Sequence, residues 1–211
     1  MEKNIEVEVR SLLDESTRKT LETFLRQNAQ IKNEKERVFI DYSTFLEGIG
    51  GRKMDIRTRV TNGKVELIVK AGSFGGGART ETSLFVADND LRGALSFMAS
   101  LGYKKGVLGV RKIKAYQYVE IEIALQEVVV CIGATIEKKI WGAFAEFEIM
   151  TTDGEKNAAI TKVGEFLQSL GLEPFADEAW FAFVEKMNKE ANGVFDFGSD
   201  LDLLCGQVKT T

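Results

Sequence analysis

The chain has 211 residues, enough for one domain with a real core or for one domain plus helical additions. Its 28 lysines and arginines against 32 acids give a formal charge of -4, which argues against a general nucleic-acid binder yet permits a basic cavity inside an acidic shell. Histidine is absent, which excludes Ser-His-Asp and Cys-His nucleophile systems and His-based zinc or iron sites, so any metal would be a hard cation held by carboxylates, magnesium or manganese.

In chain order, I-E-V-E-V-R from Ile5 to Arg10 alternates aliphatic and charged residues with the period of a strand. Ser16 to Ala29 reads as an amphipathic helix with Leu21, Phe24 and Leu25 as its stripe and Ser16 or Thr17 as its cap. Strands are expected at Arg37–Tyr42, Met54–Val60 and Val65–Lys70, the last two joined by a T-N-G-K hairpin turn. The glycine-rich Ala71–Ala78 reads as a connector rather than a nucleotide cradle, because no helix clearly starts behind it. A helix follows from Asp90 to Ser100, stopped by Gly102, and then a long β region from Val107 to about Ile136. Two further helices, one from Lys156 to Gly171 and one from Asp177 to Ala191, are separated by the sole proline, Pro174. The aromatic cluster Trp180, Phe181 and Phe183 has the spacing of core or interface packing. A single domain over 1–192 with a loosely attached arm over 193–211 is expected. Cys131 and Cys205 fit no metal or redox spacing and read as free thiols. With no secretory leader and no apolar run of membrane length, the expectation is a soluble, cytoplasmic protein, with a homodimer left open.

The charges form a set. Glu6 and Glu8, Arg57 and Arg59, Arg79 and Glu81, Lys112 and Lys114, Glu120 and Glu122, and Glu146 and Glu148 each stand two apart, on one face of a strand. The plain alternative is the solvated outside of a sandwich, but such faces usually intersperse signs, and here the sign is mostly segregated by strand. A sheet with these residues turned inward would suit a polyanion and a divalent cation together, guanidinium and ammonium groups holding phosphates and carboxylates holding the metal.

At this point the series resembles a known family, the CYTH superfamily of triphosphate tunnel metalloenzymes. E-V-E-V-R at Glu6–Arg10 is similar to its E-x-E-x-K signature, followed in order by Arg57 and Arg59, I-V-K ending at Lys70, R-T-E at Arg79 and Glu81, K-I-K at Lys112 and Lys114, and G-A-F-A-E-F-E at Gly142–Glu148. F-A-E-F-E-I-M-T-T-D particularly resembles the class IV adenylyl cyclase branch. The resemblance implies an α+β fold with a closed eight-stranded antiparallel β-barrel, a tunnel with flanking helices. It implies Mg²⁺ or Mn²⁺ on Glu6, Glu8, Glu146 and Glu148, with Glu6, Glu8 and Arg10 catalytic. Phosphates would be gripped by Arg57, Arg59, Lys70, Arg79, Lys112 and Lys114, with Glu81, Glu122 and Gln126 completing the lining. The implied activity is hydrolysis of a triphosphate compound (inorganic tripolyphosphate, thiamine triphosphate or a nucleoside triphosphate), with class IV-type cyclisation of ATP to cyclic AMP, or catalytically weakened binding of polyphosphate or nucleotide, as alternatives. The implied partner is that triphosphate-containing small molecule, with no nucleic acid and no membrane.

Three departures bear on this. Arg10 stands where lysine is usual, and Lys114 where arginine is usual, giving up a bidentate contact. Gln126 stands where an aspartate is usual, so metal affinity should weaken unless Glu122 or Glu127 substitutes. The Val129–Trp141 stretch reads as an insertion.

Overall fold

The computed structural model describes residues 5–44, 54–71 and 80–210. Its strands are β1 (Ile5–Leu13), β2 (Gln30–Asp41), β3 (Met54–Thr61), β4 (Lys64–Ala71), β5 (Thr80–Phe85), β6 (Lys105–Tyr118), β7 (Ile121–Ile132), β8 (Thr135–Thr151) and β9 (Gly193–Asp196). The helices are α1 (Glu15–Asn28), α2 (Leu91–Ser100), α3 (Lys156–Ser169), α4 (Asp177–Glu190) and α5 (Phe197–Gln207). The strands hydrogen-bond in the order β1-β8-β7-β6-β2-β3-β4-β5, with β9 added on β6. The fold is thus α+β on a large antiparallel sheet, as expected. The expected closure is not seen: among the described residues no ladder joins β5 to β1, and β5, only six residues long, ends the hydrogen-bonded order.

The chain divides into two compact units, one of Met1–Glu34, Ile113–Glu127 and Gly142–Trp180, the other of Lys35–Lys112, Val128–Trp141 and Phe181–Thr211. In the first, the uncharged positions of β1, β7 and β8 (Val7, Ile121, Ile123, Phe147, Ile149) pack with Leu21 and Leu25 of α1 and Val163 and Leu167 of α3. Phe24 meets Tyr118 edge-on at 5.1 Å, and Tyr118 stacks on Phe166 at 5.1 Å. The cap of α1 is Asp14, whose Oδ1 accepts from Thr17 N at 2.7 Å, rather than Ser16 or Thr17.

In the second unit, Val38, Ile40, Ile56, Val60 and Val65 form one apolar face, covered by Leu91, Leu95 and Met98 of α2 and by Leu204 of α5. The T-N-G-K turn forms as expected, with Asn62 at φ 47° and Gly63 at φ 83°, the paired positive values that a tight hairpin requires. The Val129–Trp141 stretch is the turning end of the β7–β8 hairpin. Residues 193–208, read from sequence as part of an arm, form β9 and α5. β9 pairs with Lys105–Leu108, and Phe195, Leu204 and Val208 enter the apolar cluster. A Cβ on Gly193 would lie 1.8 Å from the Gly133 carbonyl oxygen, so only glycine permits that approach. Both cysteines are free, and burial pushes the Cys131 thiol up to about 11. No described helix is long and apolar enough to cross a membrane.

Candidate functional site

The first unit gathers carboxylates. β1 and β8 pair with Glu8 opposite Glu148 and Arg10 opposite Glu146, so strand alternation sends all four side chains to the face away from α1 and α3. Carboxylate oxygens of Glu8, Glu146 and Glu148 lie within 4.8 Å of one another. Burial, and then the charge of Glu146, hold the Glu8 carboxyl well above its ordinary range, with Arg10 pulling the other way. The Arg10 guanidinium spans the cluster: its Nε donates to Glu146 Oε1 at 3.0 Å and its Nη2 donates to Glu8. Its plane lies 4.6 Å from the centroid of the Trp180 ring, and its backbone carbonyl accepts from Phe175 N at 2.8 Å. Burial opposes the Arg10 charge, but Glu146 and Glu8 more than compensate and raise its pKa. Gln126, buried, donates its amide Nε2 to Glu146 Oε2.

The donor set suits a hard divalent cation: it consists of carboxylates, with oxygen ligands only, and a guanidinium occupies it as a stand-in cation. Glu6 pairs through its backbone with Met150, and its side chain lies outside the described ones. Glu122 and Glu127 do not join the cluster by any bond the structure shows. Glu122 is ion-paired with Lys32, and Glu127 with Arg18, so neither fills the place of Gln126. Lys114 is held by Glu34 at 2.7 Å.

The second unit gathers a mixed basic set. Arg57 is gripped by both Asp55 oxygens at 2.6 Å each, with Asp41 at 3.6 Å, and lies 5.1 Å from the Phe39 ring centroid. Arg59 pairs with Glu66 at 2.7 Å and reaches Glu81 at 3.6 Å; Lys70 pairs with Glu81 at 2.7 Å. Burial works against the Glu81 charge, yet the Lys70 hydrogen bond and the charges of Lys70, Arg59 and Arg37 outweigh it and hold its carboxyl below the usual range. Arg57, Arg59, Lys70 and Glu81 are therefore brought together, whereas Arg79 lies outside the described residues.

Lys112 is not brought to that set. It follows Val110 by two residues and lines a cavity of about 680 Å³ with Val38, Val60, Val110, Val129 and Ile136, on the apolar face of this unit. Its neighbour Arg111 takes the Phe39 side. Buried, with its guanidinium 5.2 Å from the Phe39 ring centroid, it donates to Val110 O at 2.8 Å and to Asn192 Oδ1 at 3.2 Å. The signal for Arg111 in the sequence was Gly109 two residues earlier. A Cβ there would sit 2.3 Å from the Phe39 ring, so this side of β6 is shaped around that ring.

PH1819 of Pyrococcus horikoshii OT3 superposes with a TM-score of 0.66 at 21% identity, covering 86% of this chain and 99% of that one. A Vibrio parahaemolyticus protein proposed to be an adenylate cyclase gives 0.59 at 18% identity, over 82% and 93% of the two chains. A Hippeastrum protein proposed to be an adenylyl cyclase, and reported to have a dominant triphosphatase activity, gives 0.52 at 18% identity over 85% and 95%. At these identities the likeness is one of fold. No curated protein matches the chain. The family model for the CYTH domain matches residues 4–182, and the chain belongs to that family.

Proposed function

We propose that the chain is a divalent-metal-dependent hydrolase of a triphosphate compound (inorganic tripolyphosphate, thiamine triphosphate or a nucleoside triphosphate), working in the closed barrel that the family resemblance implies. The observation that carries this reading is the carboxylate cluster of Glu8, Glu146 and Glu148, on a chain of the CYTH family. Those three, with Glu6, would hold Mg²⁺ or Mn²⁺. When bound, the ion supplies charge neutralisation to a phosphate chain and makes a water more acidic. Arg57, Arg59 and Lys70 present charge-assisted donors to phosphate oxygens, and their present carboxylate partners hold them extended from their strands until an anion competes. Phosphoryl transfer asks the protein mainly for positioning and electrostatics, which a chain without histidine can supply.

Gln126 favours a second reading, a weakened binder of polyphosphate or nucleotide, because its amide donates to Glu146 and adds no negative charge to the cluster. Phosphorus NMR with Mg²⁺ or Mn²⁺ separates the cases. Orthophosphate and pyrophosphate from tripolyphosphate support the hydrolase, and pyrophosphate with a cyclic phosphodiester from ATP makes it a class IV-type cyclase. Binding of either compound without products supports the binder.

A further inference from the structure

Both oxygens of Glu146 are already engaged by donors within the first unit: Oε1 by Arg10 Nε at 3.0 Å and Oε2 by the Gln126 amide. Glu8 Oε1 is taken by Arg10 Nη2. Each carboxylate oxygen keeps a second lone pair, but a cation seated between Glu8 and Glu146 would meet the guanidinium that spans the two, like charge against like charge. Gln126 can adapt by turning its amide over, which presents a carbonyl oxygen in place of the N–H. Arg10 cannot, since a guanidinium has five donors, no acceptor, and does not lose its proton in proteins.

We propose that Arg10 is the resident counter-cation of this cluster and that a divalent ion binds only by displacing its guanidinium from Glu8 and Glu146, which frees that guanidinium to donate to a phosphate anion. The inference rests on the cation-binding reading given above. Two contacts keep the displaced side chain nearby. The Trp180 ring already lies under the guanidinium, and the Phe175 N–H bond holds the Arg10 backbone in place, so the guanidinium can give up its carboxylates while keeping its cation–π contact instead of leaving. The two ligands then help each other: a cation releases the donor that an anion needs, and an anion draws away the group that blocks the cation, each by the same factor.

The test uses the whole chain. Calorimetry with Mn²⁺ alone, without any phosphate, compares wild type with Arg10→Met. Removal of a two-pronged, charge-assisted competitor is expected to tighten Mn²⁺ binding about tenfold. Arg10→Lys keeps the charge but cannot span both carboxylates with a planar fork, and is expected to tighten it only about threefold. The chain has two tryptophans, so Trp141→Phe leaves Trp180 as the sole indole. Its emission should shift on saturation with Mg²⁺ as the guanidinium beside the ring leaves its two carboxylates and changes position against the indole, and this readout needs no change at Arg10. Equal or weaker Mn²⁺ affinity in a folded Arg10→Met, or unmoved Trp180 emission at saturating Mg²⁺, overturns the proposal while leaving the cation site intact. Absence of Mn²⁺ binding to wild type and to Arg10→Met alike overturns the cation reading itself, and this inference with it.

Discussion

Replacing Gln126 by glutamate, nearly its isostere, converts the amide donor that faces Glu146 Oε2 into a second carboxylate at a buried position. A hydrogen bond to a charged group contributes about 1.5–3 kcal/mol, and the like charges add a repulsion that the pair relieves only by sharing a proton. The metal-free variant should therefore lose about 3 kcal/mol at pH 7, which for a chain of this size is a fall in Tm of roughly 6–12 °C. The sign of the pH dependence follows. The new carboxyl pair holds its last, shared proton more tightly than an unfolded carboxyl of pKa about 4, so the deficit is absent below that pH and grows as pH rises toward 7. Saturating Mg²⁺ should restore Tm, because the added charge then joins the donor set of Glu8, Glu146 and Glu148. The assay is thermal unfolding in EDTA at pH 4 and pH 7, and again with Mg²⁺. An unchanged Tm in EDTA at pH 7 would refute the Gln126–Glu146 bond. An equal deficit at both pH values would show that packing, not charge, is the cause.

Glu8→Gln keeps the shape of β1 but removes one carboxylate from the cluster; turnover of the triphosphate substrate should fall at least about a hundredfold with thermal unfolding little changed, and retained turnover would remove Glu8 from its role. Arg59→Gln should raise KM more than Lys112→Gln does, because Arg59 stands beside Lys70 and Glu81 whereas Lys112 lines the apolar-floored cavity; steady-state kinetics on both variants decides. Glu81→Gln removes a carboxylate whose pKa is held down in the folded state, so its contribution is present above the unfolded pKa and lost as pH falls through the folded one. The stability gap between wild type and variant, read from urea midpoints, should therefore close below about pH 4, and a gap independent of pH would exclude the Lys70 ion pair as its source.

The strands of the carboxylate cluster were legible because β1 over Ile5–Arg10 and β8 over Ala145–Ile149 alternate strictly, and an alternating stretch with one apolar face has only one way to sit on helices. Lys112 and Arg111 show the limit of that rule. Two-apart spacing says that residues share a face but not which face it is; on β6 the deciding neighbours are Leu108 and Val110, which belong to the apolar cluster and carry Lys112 with them. The first half of β2, Q-I-K-N-E-K-E, has no apolar alternation to announce a strand, and its place follows from long-range pairing that local patterns do not contain. Gln126 was legible as a departure, but its bond to Glu146 was not, nor was the engagement of Glu122 and Glu127 by Lys32 and Arg18, since ion-pair choice depends on three-dimensional reach. The last helix carries a stripe, Leu201, Leu204, Cys205 and Val208 at helical spacing and all on the apolar cluster, but its glycines at 198 and 206 and its aspartates at 200 and 202 gave the segment the composition of a loop.

The return of β9 and α5 onto the second unit sets an order of events during synthesis. That unit begins at Lys35, yet its apolar cluster is incomplete until Phe195, Leu204 and Val208 have been made, and Gln207 supplies the carbonyl that accepts from Ile136 N at 2.8 Å. A ribosome translating this chain therefore holds the strands of that unit as an unsealed sheet until residues 195–208 have emerged, and the apolar face awaiting Leu204 is open meanwhile to chaperones or to a neighbouring nascent chain.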